Sequence, residues 1–347
     1  MKSHHGATYI CLELGATHRG VDDALTMIAR VAESCYHGGV ALPDAIKFQV
    51  HTTEEIVGLD YTVSYQGRNG AVVESSIREL LRAREMSESS WRRVFASVRE
   101  HGMDCFGTPG GIGSLDMLVR LGSSAIKIAG ADMDYQELIE AAARTGLPVL
   151  LDARCSHAEL RAAVGWVLPL TSAPVTLVYS SGGYPCRPEE VGLLKVQWLC
   201  AEYVGDWPQV AIGYTDHAEG IDMCTGAVAL GARYVEKPLV GEDTAESPER
   251  AAGLLYQQVP GFVEAIRLLE KGLHFNAAPV GVQHRRSCFA AREIQPGESI
   301  TRAMVRLLRP GTGIPVRALD SVLGRVARRP VKAGAMIRWE DLSPDGC

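Results

Sequence analysis

Lysine is costly to place inside a short apolar run, and this chain does so at equivalent positions. Lys127 lies in Ala125-Ile126-Lys127-Ile128-Ala129-Gly130-Ala131-Asp132, Lys47 in Ala45-Ile46-Lys47-Phe48-Gln49, and a looser version is Tyr234-Val235-Glu236-Lys237. Each run suits a buried strand that ends in charged or amide side chains, which must find partners if they are buried. Neighbouring carboxylates would satisfy the lysines as plain structure. An anionic ligand would do so at the carboxyl ends of parallel strands, where barrels and open α/β sheets keep their active sites. Two lysines at equivalent places favour the ligand.

Other polar residues fall at comparable strand ends: Glu13, Gln49, Thr108, Asp132, Asp152, Tyr184, Asp216, His217, Glu236 and Lys237. Ammonium groups and a threonine hydroxyl facing one cavity would receive a small anion bearing phosphate or carboxylate, and carboxylates beside them would supply acid and base groups. His217, in Gly213-Tyr214-Thr215-Asp216-His217, follows a strand directly. It could ligate a metal, move a proton or hydrogen-bond the loop. Alone, any of these would be structural; together at strand ends they describe an anion-receiving mouth.

The elements that would position them alternate. Expected strands cover Tyr9 to Glu13, Ala45 to Gln49, Asp104 to Thr108, Ala125 to Ala129, Pro148 to Asp152, Val175 to Ser180, Val210 to Gly213 and Arg233 to Lys237, with helical stretches between them. Val21 to Cys35 and Ser90 to His101 read as helices, the latter with Trp91, Val94, Phe95 and Val98 on one face. Ser156 and Glu159 form a capping box for the helix through Val167. Eight strands alternating with helices predict a closed (β/α)8 TIM barrel over 1–270, an α/β fold. His51 to about Ser75, which contains Asn69, is expected to be a long active-site loop. Past a linker at 271–284, residues 285–347 carry short β-like pieces broken by Pro296-Gly297, Pro310-Gly311 and Gly334, and read as a small, mostly β module.

The chain has 347 residues and a formal charge of -6, without a long basic run, which argues against nucleic acid or a membrane surface as partner. No apolar segment approaches the roughly 20 residues of a membrane span, and the start lacks the apolar core of a secretory signal, so a cytoplasmic protein is expected. Nine scattered cysteines, with no Cys-x-x-Cys pair, suggest reduced thiols.

Taken in order, the motifs resemble the sialic acid synthase family over nearly the whole chain. They are Glu13-Leu14-Gly15 with His18 and Gly20, Lys47-Phe48-Gln49, Thr108-Pro109, Lys127-Ile128-Ala129, Tyr184-Pro185, Gly213 to His217 and Glu236-Lys237. The tail, with Arg309-Pro310-Gly311 and Ile337 to Leu342, resembles the family's antifreeze-like (SAF) module. The resemblance implies condensation of phosphoenolpyruvate with an N-acylated amino sugar to a sialic-type acid. It implies that Lys47, Thr108 and Lys127 hold phosphoenolpyruvate, that Glu13, Gln49, Asn69 and Tyr184 surround the sugar, and that Glu249 lies near the sugar's hydroxyl tail. Asp132, Thr215 and Asp216 join this substrate-binding set, with Glu13, Lys127, His217 and Glu236 as the catalytic groups. It also implies a domain-swapped homodimer in which Arg309 reaches the other subunit's barrel.

Family members hold a divalent metal, manganese or magnesium, between two histidines as a Lewis acid. Here His217 is one, but Pro238 stands in place of the other. Gly182 replaces an asparagine and Gly130 a serine that touch phosphoenolpyruvate in the family, and Asp152-Ala153 replaces a Thr-Gly pair. Besides the family reaction, the departures leave open a different carbon-carbon or phosphate reaction on another acidic substrate, or a non-catalytic anion-binding role.

Overall fold

The computed structural model describes residues 7–67, 70–180, 182–241, 246–273 and 280–344. The chain divides into two compact units, Met1–His274 and Phe275–Cys347.

The first unit is a closed barrel of eight parallel strands: β1 (Tyr9–Glu13), β2 (Ala45–Val50), β5 (Asp104–Pro109), β6 (Ile126–Ile128), β7 (Val149–Asp152), β8 (Val175–Ser180), β9 (Val210–Thr215) and β10 (Tyr234–Pro238). β3 (Thr62–Gln66) and β4 (Val72–Ser76) pair outside it as an antiparallel hairpin. β1 closes the ring between β2 and β10. Because successive strand side chains point to opposite faces, each strand is two sequences at once. Ile10, Leu12, Ile46, Phe48, Ile126, Ile128, Val149 and Leu151 belong to the layer under the helices. The alternate set, Tyr9, Cys11, Ala45, Phe106, Ala125, Leu150, Val178 and Tyr234, fills the lower barrel. The Tyr9 and Tyr234 rings stack there at 6.2 Å.

The helices lay apolar stripes on that outer layer. Val21–Gly38 buries Ala24, Met27, Ile28, Val31 and Cys35, and ends at left-handed Gly39 (φ 65°), a conformation that suits glycine. Glu88–Glu100 buries Trp91, Val94, Phe95 and Val98, the face expected from spacing. The Ser156 box forms: Glu159 N–H donates to Ser156 Oγ at 3.2 Å, and Ser156 N–H to Glu159 Oε2 at 2.8 Å.

The segment after β2 departs from the expected loop. It holds a short helix, Thr53–Ile56, the β3–β4 hairpin and a second helix, Ile77–Arg82. Glu55 ties it to the barrel, accepting from Thr52 N–H at 3.1 Å and from Ser114 N–H, at the start of helix Ile112–Arg120, at 2.9 Å. Asn69 lies outside the described residues.

The smaller unit pairs β11 (Ser287–Ala290) with β12 (Val305–Leu308) and continues through single-residue bridges such as Ile294 with Val331 and Ser299 with Val326. Its own core includes Cys288, Ile300, Val305, Val322, Ile337 and Leu342. A mostly β module is therefore present, though it is held by bridges and turns more than by long strands.

Candidate active site

The inward set of strand residues changes character toward the carboxyl ends. Above the apolar plug of Tyr9, Phe106 and Leu150, the same parity brings Glu13, Lys47, Gln49, Thr108, Lys127, Asp152, Thr215 and Glu236 into a cup of about 540 Å³. Loops complete it with Asp132, Tyr184, His217 and Glu249, and Ile56, Tyr61, Ile77 and Leu81 from the segment after β2 form an apolar rim. A pocket of this size, with convergent polar groups at the strand ends, is the expected place for a small ligand.

Glu236 is the hub. Its Oε1 is 2.8 Å from Lys127 Nζ and 3.5 Å from Lys47 Nζ, and its Oε2 accepts from the Tyr234 hydroxyl below. Lys47 also pairs with Glu13 Oε2, and Lys127 donates to Thr215 Oγ1 at 3.2 Å. Lys47 is 3% and Lys127 5% exposed, so neither charge could stand there unpaired. Burial pushes the Glu236 carboxyl up, but the two lysines and the tyrosine hold it below its ordinary value. Burial lowers Lys47 despite Glu236, whereas at Lys127 the same burial is outweighed by Glu236 and Asp152 and the group is raised. The structural and ligand-binding readings of the lysines thus coexist: the carboxylates hold two ammonium groups in place at the floor of a cup.

Around this floor, Glu13 Oε1 accepts from Gly15 N–H at 2.6 Å, which fixes its carboxylate. Gly15 itself has no room for a side chain, since a Cβ there would overlap Gln49 N and Glu13 Oε1. Ser180 Oγ donates to Asp152 at 2.9 Å. The His217 ring lies against Tyr184, centroids 4.2 Å apart, while its backbone carbonyl accepts from Cys186 N–H at 2.9 Å. Glu249 is 7% exposed, and its Oε2 has no hydrogen-bond partner. Burial pushes its carboxyl up, against Lys47, to about 7. Burial also raises Asp132 and the Tyr184 phenol.

Two expected mouth residues are elsewhere. Asp216 and Lys237 have the opposite parity and are fully buried in the wall, where Lys237 Nζ meets Asp216 Oδ2 at 2.8 Å. Asp216 further accepts from the Tyr214 hydroxyl at 3.0 Å and Ala218 N–H at 2.9 Å. It shapes the turn that carries His217 instead of lining the cup. His18 is also behind the wall: its ring packs edge-on against Phe48 and Trp91, and burial lowers it to about 3, so it is neutral. Arg309 belongs to the smaller unit. Residues at the cup that spacing did not single out are His51, Tyr135 and Arg154. Arg154 follows β7 by two residues, and position after a strand was the one signal pointing to it.

The donor set does not fit a resident divalent ion. Among the described residues no three His, Cys, Asp or Glu side chains form a group able to hold one. Glu13 and Glu236 present their oxygens to lysines, whose charge opposes a cation, and position 238, paired with Glu13 in the β1–β10 register, is proline.

Comparison with known proteins agrees with this architecture. The model of the NeuB family matches residues 38–276 and that of the SAF domain residues 285–343. The chain is 26% identical to the N,N'-diacetyllegionaminic acid synthase of Legionella pneumophila over 96% of this chain and 94% of that protein. It is 28% identical to the pseudaminic acid synthase of Helicobacter pylori over 72% and 74%. A solved spore coat polysaccharide biosynthesis protein E of Chromobacterium violaceum, 21% identical, shares the fold with a TM-score of 0.74 over 96% of this chain and 99% of that one.

Proposed function

The chain belongs to the NeuB family, and from that membership we propose that it is a phosphoenolpyruvate-dependent synthase. It joins the donor to an open-chain, N-acylated hexosamine-type aldehyde, releases phosphate and yields a sialic-type 3-deoxy-2-keto sugar acid. The observation that carries the reading is the meeting of Lys47 from β2 and Lys127 from β6 on one carboxylate at the floor of an otherwise open cup. Relatives bearing synthase names support the reaction class.

The donor's carboxylate and phosphate take the ammonium hydrogens of Lys47 and Lys127 and the hydroxyls of Thr108 and Thr215. Glu236 keeps both lysines charged and aimed while they do so. The methylene carbon of the donor then bonds to the aldehyde carbon, and the aldehyde oxygen takes a proton. Glu249, whose carboxyl burial keeps protonated toward neutral pH, is the donor we assign to that step. Water adds to the cationic C2 and passes one proton to Glu13; the new C2 hydroxyl then gives its proton to the leaving phosphate oxygen as the C2–O bond to phosphate breaks, leaving the C2 ketone and inorganic phosphate. No step is routed through a metal ion.

Gln49, Asp132 and Tyr184 bound the space left for the acceptor, with His217 held against Tyr184. The resemblance also supports a domain-swapped homodimer, in which the partner subunit's Arg309 completes the acceptor side together with Asn69. We place the enzyme in the cytoplasm, where the donor is made; among the described residues no helix is long and apolar enough to cross a membrane.

The test is incubation of the full chain with phosphoenolpyruvate and a set of N-acylated hexosamines, with chelator and with manganese. A keto sugar acid formed in step with phosphate, unaffected by chelator and lost in Lys127→Met, is the expected result. Phosphate release without a sugar acid, or no donor consumption with any acceptor, rejects the proposal.

A further inference from the structure

Arg154 is the cup cation for which the lysine network has no use. It follows Asp152 at the end of β7, and the turn is fixed locally: Asp152 Oδ1 accepts from Arg154 N–H at 2.8 Å while Ser180 Oγ holds both Asp152 oxygens at 2.9 Å. The guanidinium and the Tyr184 ring line the same cup, near enough for each to shift the other's titration. Its Nη2 lies 3.4 Å from where a Cβ on Gly130 would stand. Gly182, on the turn after β8, has nothing within 4 Å of a built Cβ.

The charges separate it from the two lysines. Lys47 has Glu13 and Lys127 has Glu236, but among the described residues no carboxylate lies within ion-pairing distance of Arg154. Asp152 is near enough to attract it, yet spends its oxygens on Ser180 and the backbone. Arg154 is solvent-exposed, whereas the lysines are buried. An exposed guanidinium in the cup lining, beside Tyr184 and with no ion-pairing carboxylate among the described residues, suits a planar or tetrahedral oxyanion taken through two N–H groups.

We propose that Arg154 is a specificity-determining anion clamp of this cup, gripping a phosphate or carboxylate of the substrate from the cup lining that it shares with Gly130 and Tyr184. The proposal rests on the cup being the substrate site and goes further by assigning the second anionic contact to a residue on β7's turn. The oxyanion has two possible sources, the phosphate of the enol donor or an acid group on the acceptor.

The experiment is calorimetric titration of the full chain and of Arg154→Gln, Arg154→Lys and Gly130→Ala with inorganic phosphate, phosphoenolpyruvate and an N-acetylhexosaminuronate, alongside steady-state kinetics and melting curves. Gly130→Ala adds a methyl group beside the guanidinium at a position whose φ is not left-handed, so it tests space and not backbone strain. Arg154→Gln is expected to weaken one oxyanion roughly 10- to 100-fold, the worth of one or two charge-assisted hydrogen bonds, without lowering the melting temperature. Lysine should recover part of the loss. Weaker phosphate binding with a higher KM for phosphoenolpyruvate assigns the clamp to the donor; a loss confined to the uronate assigns it to the acceptor.

Equal affinities for all three ligands in Arg154→Gln and the parent, or no binding of any by the parent, overturn the clamp. Arginine-dependent phosphate binding in a protein that never turns over phosphoenolpyruvate would retain the clamp and reject the synthase.

Discussion

Replacing Glu236 by glutamine keeps the side-chain shape but removes the charge on which the cup lysines converge. With Lys127 Nζ 2.8 Å and Lys47 Nζ 3.5 Å from Oε1, the gross attractions at an effective dielectric of about 20 are about 6 and about 5 kcal/mol. Desolvation of the three ions offsets most of that, and breaking a buried pair by removing one partner costs about 3–5 kcal/mol. The loss falls unevenly. Lys47 keeps Glu13, whereas Lys127 is left with the Thr215 hydroxyl at 3.2 Å.

Glu236→Gln should therefore lower the barrel unit's melting temperature by about 10 °C at pH 7, from roughly 2–4 °C per kcal/mol for a domain of this size. In the variant, burial depresses the Lys127 pKa below its unfolded value, so between those two values the unfolded chain binds more protons. Stability then rises with pH, and the gap to the parent narrows toward pH 9 to 10. Scanning calorimetry from pH 6 to 10 reads both effects. A variant melting within about 2 °C of the parent at pH 7, with a pH-independent gap, refutes the hub.

Glu249→Gln should act in the other direction on stability. The folded pKa is raised to about 7, so the folded state holds more protons between the unfolded value and there, and stability falls as pH rises through that window. The variant should be more stable than the parent at pH 8 and equal to it at pH 4, while its kcat falls and the alkaline limb of the pH–rate profile flattens. Gly15→Ala, which forces a methyl group onto Gln49 N and Glu13 Oε1, should raise the KM for the acceptor at least tenfold, about 1.4 kcal/mol, read by steady-state kinetics. Asp216→Asn should destabilise by about 3 kcal/mol in a chemical denaturation curve, because it strands Lys237 in the wall, yet change the KM for phosphoenolpyruvate less than Lys47→Met does.

Strands with one apolar face toward the helices and one toward the barrel were legible, and Val175 to Ser180 and Tyr9 to Glu13 fall where expected. The floor of the cup was legible too, because a lysine inside an apolar strand must meet a carboxylate or an anion there, and Lys47 and Lys127 do. Parity was the missed signal. Thr215 and Glu236 face in, so Asp216 and Lys237, one residue on, must face out; grouping by nearness to a strand end put Asp216 and Lys237 in the mouth with Glu236. The hairpin of β3 and β4 was hidden because its strands are largely exposed around a buried Tyr65, and so show no alternation. Arg154 was hidden because an arginine in a polar turn has nothing in its local sequence to distinguish it from a solvated one; its place in the cup lining with Gly130 and Tyr184 does so.

The central claim is that one anion-receiving cup lies at the carboxyl end of the barrel, floored by Lys47 and Lys127. A crystal structure of the full chain soaked with phosphoenolpyruvate tests it most directly. Density for the donor bridging both ammonium groups, with Thr108 and Thr215 in hydrogen-bonding contact, is the predicted result. A cup that stays empty at saturating donor, or donor bound away from both lysines, would contradict it.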